Sequence, residues 1–392
     1  MTDLFNPSAE HRALRELVRS FTEREVDPQA ESSDQQERFN IELFRKLGEL
    51  GLLGITVEER FGGAGLDPVA AVIAHEELSA ADPGFALAYL AHSMLFANNL
   101  QINGSDEQRS KYLPDACTGN KVCGMCMSEP GAGTDVLGMQ TSAVRKGDSY
   151  LLNGAKMWIT NGAINDKELG DTYLVYARME GSPRNQLSMF IVEKGFSGFS
   201  LGQKIKGKLG MRASTTAELV FEDCQVPAEN LVGSEGAATL HMMRNLELER
   251  VTLAGMSLGI ARRSIEVMNR YASERISFGK PLRDFGQIQR YISQSYAEYM
   301  AGRAYTYFTA STMRLDTPGH RLDSDGVKLF TSTMAKDIAD RAIQVLGGYG
   351  YVAEYGVERL WRDAKLLEIG GGTLEAHQKN MCRELARTER IL

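Results

Sequence analysis

A carboxylate among apolar residues is the first feature that could do chemistry. Met242, Leu246, Glu249, Leu253, Met256 and Ile260 follow one another at steps of four, three, four, three and four, which is one face of an α-helix. Glu249 interrupts that apolar stripe. A charged group turned toward a core is costly unless it is paired, or unless its pKa rises so that it holds a proton. A carboxylate with a raised pKa is what a general base working near neutral pH needs. A buried ion pair with an arginine elsewhere in the chain would use the same placement. The stripe by itself leaves both readings open.

Three other segments combine unusual residue types. In Glu368-Ile-Gly-Gly-Gly-Thr373, three glycines separate two helical patterns. Either the backbone comes close to a ligand there, or the chain simply turns. Met127-Ser-Glu-Pro-Gly-Ala-Gly-Thr-Asp135 leaves backbone N–H groups uncovered beside hydroxyls; it can bond a ring edge or a phosphate, or serve as a polar turn. In Lys156-Met-Trp-Ile-Thr160, strand alternation puts the indole of Trp158 and the hydroxyl of Thr160 on one face. That suits a flat aromatic cofactor or a core tryptophan. Cys123-Gly-Met-Cys126 has no second pair and only scattered histidines around it, so it reads as small buried strand residues and not as a metal site. Neither GxGxxG nor GxxxxGK[ST] occurs, which removes the usual sequence support for a Rossmann fold or a P-loop.

Three regimes of pattern position these segments. Residues 1–120 are helical in period, with helix starts at Asp67-Pro68 and Asp82-Pro83. Residues 121–233 alternate Val, Thr, Tyr and Phe with polar residues, as in Tyr150–Gly154, Thr172–Ala177, Ser188–Val192 and Ala217–Phe221. They predict a compact antiparallel β domain of short strands. Residues 234–392 return to helices, expected near 237–272, 284–315, 321–346, 355–362 and 373–389. The fold class is α+β, mostly α: N-terminal helical domain, middle antiparallel β domain, C-terminal helical bundle.

Composition narrows the function. The 392 residues carry a net charge of −7 without a Lys/Arg block, which argues against nucleic acid as a partner. No run of about 18 apolar residues predicts a membrane span. Five cysteines, an odd and low number, point to a reducing compartment. The segment Met1 to Asp27 lacks a signal-peptide pattern. A bacterial cytoplasm is expected, or a mitochondrial matrix for a processed form.

Taken together, the segments resemble the acyl-CoA dehydrogenase family, and most closely its isovaleryl-type branch. The likeness rests on Ser128-Glu-Pro-Gly-Ala-Gly-Thr-Asp135, Trp158-Ile-Thr160, Leu246-Glu-Leu-Glu-Arg250, Arg275-Ile-Ser-Phe-Gly279, Gln344-Val-Leu-Gly-Gly348, Arg362-Asp-Ala-Lys365 and Gly370-Gly-Gly-Thr373. It implies FAD. Residues matching Met125, Met127, Ser128, Gly133, Thr134, Trp158, Ile159 and Thr160 would line the flavin ring. Those matching Arg275, Ser277, Phe278, Leu282, Gln344, Gly347 and Gly348 would reach its pyrophosphate and adenine end from a neighbouring subunit. Ile369, Thr373 and Glu375 would complete the cofactor site. Such sharing implies a homotetramer built as a dimer of dimers.

The resemblance also implies where the base lies. Most members carry a catalytic Glu two residues before the Thr of the last glycine loop; here that position is Gly371. Isovaleryl-type and long-chain-type members take the base from the position of Glu249. Glu249 would remove the substrate's α-proton, and the backbone N–H of Gly371 would hold the thioester oxygen. Thr134, Tyr89, Leu90, Glu247, Arg250, Gly370, Gly371 and Gly372 would border the acyl-CoA, and electrons would pass to an electron-transfer flavoprotein. Gly370, where straight-chain members often carry an aromatic, implies a short branched chain. Three positions depart from the isovaleryl pattern: Leu240 replaces a Tyr, Gly286 a Gln, and the loop 163–171 is longer. A long-chain dehydrogenase, an acyl-CoA oxidase and a non-catalytic flavoprotein stay open as alternatives.

Overall fold

The computed structural model describes residues 3–314, 319 and 321–387. Seven α-helices come first: α1 (Ala9–Phe21), α2 (Asp27–Gln35), α3 (Ile41–Glu49), α4 (Pro68–Ser79), α5 (Pro83–Leu90), α6 (Asn99–Asn103) and α7 (Asp106–Thr118). The two expected Asp-Pro starts are real caps. The carboxylates of Asp67 and Asp82 accept from the N–H groups of Ala70 and Phe85, three residues on, and proline opens each helix. Helix α4 is buried along its whole length, so its two acidic residues need partners. Arg15 of α1 bonds both Glu76 and Glu77, and Arg19 and Arg262 also hold Glu77. Arg303 pairs with Glu76. Burial alone would raise the Glu76 carboxyl, but Arg303, Arg15 and Arg262 hold it down at about 2.

The sheet follows, with strands β1 (Cys123–Cys126), β2 (Ser142–Lys146), β3 (Ser149–Thr160), β4 (Thr172–Met179), β5 (Leu187–Glu193), β6 (Phe199–Lys204), β7 (Thr216–Pro227) and β8 (Leu231–Val232). Their order is β6-β7-β3-β2-β4-β5-β8, with β1 beside β4. Pairing is mainly antiparallel; β1 and β2 each run parallel to β4. Strands β3 and β7 span 12 residues each, longer than the short strands expected. The reason lies at Asn153-Gly154. It is not a turn but an irregularity inside β3, where the register against β7 shifts and Gly154 takes φ +146.

The C-terminal bundle is built on α8 (Ala238–Glu274), 37 residues long and so roughly 55 Å from end to end. A small hairpin, β9 (Ile276–Ser277) and β10 (Lys280–Pro281), follows, then α9 (Gly286–Thr312), α10 (Arg321–Leu346), α11 (Val357–Leu367) and α12 (Leu374–Leu385). The expected ends near 315 and 389 lie outside the described residues; the described helices stop at Thr312 and Leu385. Helix α8 packs on α4, α9 and α10; Leu253, Met256 and Ile260 of its apolar stripe lie in the main core, and Met242 and Leu246 pack in a second cluster against the sheet. Among the described residues no helix is long and apolar enough to cross a membrane.

Candidate active site

Helix α8 carries Glu249 into the interior, where it is 6% exposed. Its Oε2 has no hydrogen-bond partner among the described residues. The ion-pair reading of the stripe fails on the adjacent guanidinium: Arg250 points to Asp325, with Nη1 to Oδ1 at 3.0 Å. Burial pushes the Glu249 carboxyl up to about 7, against the opposing pull of the Arg250 and Lys328 cations. A buried, unpaired carboxylate that titrates near neutrality can take up a proton under physiological conditions.

The glycine loop between α11 and α12 faces it. Gly371 and Gly372 both have left-handed backbones, φ +67 and +102. A Cβ built on Gly371 would lie 3.5 Å from Glu249 Oε1 and 2.2 Å from Leu253 Cδ1. The helix position and the loop position that could each hold a base therefore open on one space. Leu253 occupies part of the room a side chain on the loop would need. The nearest atoms to a Cβ on Gly370 belong to Leu366, at ordinary contact distances from 3.5 Å. Thr373 caps α12 by accepting from the Ala376 N–H, and Glu375 is exposed in its first turn. Ile369 is also exposed.

The other candidate residues fall into two groups. Met125 lies on β1, and Met127, Ser128, Gly133 and Thr134 lie on the loop that follows it. A Cβ on Gly133 would meet open space. Trp158 sits at the second register shift of β3, with φ +66 and 61% of its surface exposed. Ile159 turns into the sheet core and Thr160 is half-buried. Leu90 and Tyr89 are buried in α5; the Tyr89 ring packs on His75, and its hydroxyl donates to the Leu52 carbonyl at 3.1 Å. Glu247 is buried on α8 and accepts from the Gly319 N–H. Leu240 is 49% exposed on the first turn of α8.

The second group stands far away. Arg275 is 26 residues beyond Glu249 on the same helix axis, or roughly 39 Å. Ser277 and Phe278 follow in the hairpin and Leu282 just after it; Gln344 lies in the last turn of α10 and Gly347 and Gly348 follow it at the same end, where Tyr271 packs on Tyr349. This end is strongly apolar for a surface: Phe278 is 94% and Tyr351 84% exposed. One chain therefore does not gather the two groups at one point.

Several supporting residues were not legible in the sequence. Lys156, fully buried, donates from Nζ to the Met127 carbonyl at 3.0 Å and to Glu129 at 2.9 Å. Glu129 in turn accepts from the N–H groups of Gln140 and Thr141. The loop after β1 is thus fastened to β3 two residues before Trp158. On the other side, Lys328 and His377 both donate to the carbonyl of Gly372. A lysine in a strand or helix usually signals solvent, and nothing local in either sequence marks these as inward.

Family comparison gives this geometry its context. The chain matches the acyl-CoA dehydrogenase N-terminal domain over residues 8–120, the middle domain over 124–224 and the C-terminal domain over 239–386. It is 40% identical over 381 residues to a mitochondrial isovaleryl-CoA dehydrogenase of Solanum tuberosum, covering 96% of this chain and 91% of that one. It superposes on butyryl-CoA dehydrogenase of Megasphaera elsdenii with TM-score 0.92 and 34% identity, covering 99% of both chains. A glutaryl-CoA dehydrogenase of Mycobacterium smegmatis in complex with FADH2 gives TM-score 0.90 and 28% identity, over 98% of this chain and 96% of that one. The chain belongs to the acyl-CoA dehydrogenase family. It is an FAD-dependent oxidoreductase acting on acyl-CoA, and its residues fit the cofactor: an exposed indole on a bulged strand beside an open glycine loop offers a flat ring a face and an edge.

Proposed function

We propose that this protein uses Glu249 to remove the α-proton of a short, branched acyl-CoA in an α,β-dehydrogenation for which bound FAD would supply the hydride acceptor. The observation that carries the assignment is the meeting of Glu249 Oε1 with the empty Cβ position of Gly371. When bound, FAD supplies the two-electron acceptor. The chain's own residues do the rest. Glu249 accepts the proton, and burial keeps its conjugate acid near neutral in pKa. The Gly371 N–H donates to the thioester oxygen as enolate charge grows there, the kind of preorganised donor that contributes most where charge develops. Leu253 and the surrounding apolar stripe keep water from the carboxylate.

Two glycines support the branched-chain assignment: at Gly370 the nearest atoms to an added Cβ, those of Leu366, lie no closer than 3.5 Å, and Gly371 adds no side chain. The test is a panel of substrates from butyryl- to palmitoyl-CoA with isovaleryl- and isobutyryl-CoA included. Isovaleryl-CoA is expected to give the highest kcat/KM. No turnover of either branched substrate would remove this reading.

The distance along α8 from Glu249 to Arg275 supports a flavin shared between subunits, in a homotetramer built as a dimer of dimers. Electron-transfer flavoprotein is the proposed acceptor of the electrons. The flavin loop has its own test. Lys156→Met removes the donor that holds the Met127 carbonyl and leaves Glu129 with less compensation. FAD affinity, titrated by flavin fluorescence, is expected to fall by about ten- to a hundredfold. Unchanged affinity would separate that loop from the cofactor.

A further inference from the structure

We infer that Lys328 and His377 form a two-donor clamp on the carbonyl of Gly372, and that this clamp positions the Gly371 N–H for the growing enolate. The inference rests on the acyl-CoA dehydrogenation site proposed above and names residues that serve it without touching substrate.

The physical need comes from the loop itself. Two successive glycines with φ +67 and +102 have more backbone freedom than any other pair. A donor on such a segment loses orientation unless something external fixes it, and an oxyanion donor displaced by a fraction of an ångström forfeits much of its effect. Lys328 Nζ donates to the Gly372 oxygen at 2.7 Å and His377 Nε2 lies 3.0 Å from the same atom. The His377 ring also closes on the far side of Gly372, where a Cβ would sit 2.9 Å from its Cε1. The carbonyl is thus held by two donors and the α-carbon by an imidazole wall.

The clamp is anchored behind. His377 Nδ1 lies 2.6 Å from Asp325 Oδ1, and the same carboxylate oxygen pairs with Arg250, the residue next to Glu249. A carboxylate and a carbonyl can only accept, so both ring contacts are hydrogen bonds when the imidazole carries a proton on each nitrogen; burial, with the Lys328 and Arg250 cations, presses against that protonation, and the Asp325 carboxylate favours it. Asp325 and Lys328 stand three residues apart on α10, and both are fully buried. Two charged residues in a helix core are costly, and burial pushes the Lys328 ammonium down to about 7. Lys328 ends on the loop carbonyl, while Asp325 reaches it only through His377 and also pairs with Arg250, beside the base, and with Arg321. A lysine serving stability alone has no reason to end on the backbone of the one loop that faces Glu249.

The test separates positioning from folding by comparing two ligands. Acetoacetyl-CoA has an acidic α-carbon and binds as its enolate; S-(3-methylbutyl)-CoA, a thioether, has the chain without the carbonyl oxygen. In Lys328→Met, affinity for acetoacetyl-CoA is expected to fall by about tenfold or more, with thioether affinity changed less than threefold and FAD content unchanged. Amide hydrogen exchange over residues 369–374 should quicken. His377→Leu removes the second donor from the same carbonyl and should give the same split, which covers the case in which the lysine variant does not fold. His377→Gln keeps a donor and should recover part of the enolate affinity. Equal losses for both ligands, or none, overturn the clamp. A wild type that neither binds acetoacetyl-CoA nor bleaches its flavin with any acyl-CoA would instead overturn the proposed function itself.

Discussion

Replacing Glu249 by glutamine is expected to leave a folded, yellow protein whose turnover falls by about 10²–10⁴-fold, the usual contribution of a positioned general base. The amide keeps the volume and loses the lone pair that takes the proton. Assay of kcat and of flavin content on one preparation distinguishes this result from cofactor loss. The same substitution has a second, opposite effect on stability. The Glu249 carboxyl moves from its ordinary 4.5 up to about 7 in the fold. Between those values the folded chain binds more protons than the unfolded one, so stability falls as pH rises through the window. Below 4.5 the cost is absent, and above about 7 it reaches roughly 3 kcal/mol. Glu249→Gln abolishes that cost. The variant should therefore melt higher than the wild type at pH 8, and the difference should vanish by pH 4. An inactive but more stable variant is the pattern of a site that trades stability for function.

Gly371→Ala is the second large effect. The added methyl meets two penalties together. Its residue must keep φ +67, which costs about 1–2 kcal/mol outside glycine. Its Cβ would also fall 2.2 Å from Leu253 Cδ1, so either the leucine or the loop must move. The loop carries the N–H that meets the thioester oxygen, and a shift there is expected to lower kcat by about 10²–10³-fold. KM should change much less, because the donor matters most once enolate charge has formed. Adding Leu253→Ala opens the contested space and should recover part of kcat. A Gly371→Ala enzyme with wild-type kcat would show that this N–H plays no part.

These effects trace back to features of uneven legibility. The stripe on α8 was readable because a carboxylate breaks a helical period, and the structure buries it with its Oε2 unpaired among the described residues. The Asp-Pro helix starts were readable because caps are local. The ends of β3 were not: an Asn-Gly pair that usually turns a hairpin is absorbed as an irregularity inside one long strand, and only pairing with β7 decides which. Trp158 shows the same limit. Alternation gives its face but not the bulge that sets φ +66 and leaves the ring exposed. The lysines were invisible for a different reason. Lys156 and Lys328 are buried by contacts to loops 29 and 44 residues away in sequence, and no local pattern encodes such partners. Tyr89, which the resemblance places beside the substrate, has its hydroxyl engaged with Leu52 in the core, so any contact it makes would come from its ring.

The most direct test is the pH dependence of flavin bleaching without oxygen. Wild type mixed with limiting isovaleryl-CoA, or the best substrate of the panel, should show a second-order rate that rises with pH through an ionisation near 7. That ionisation belongs to the free enzyme, and Glu249→Gln should remove both the rate and the limb. Bleaching at the wild-type rate in Glu249→Gln, with the limb still in place, would contradict Glu249 as the base.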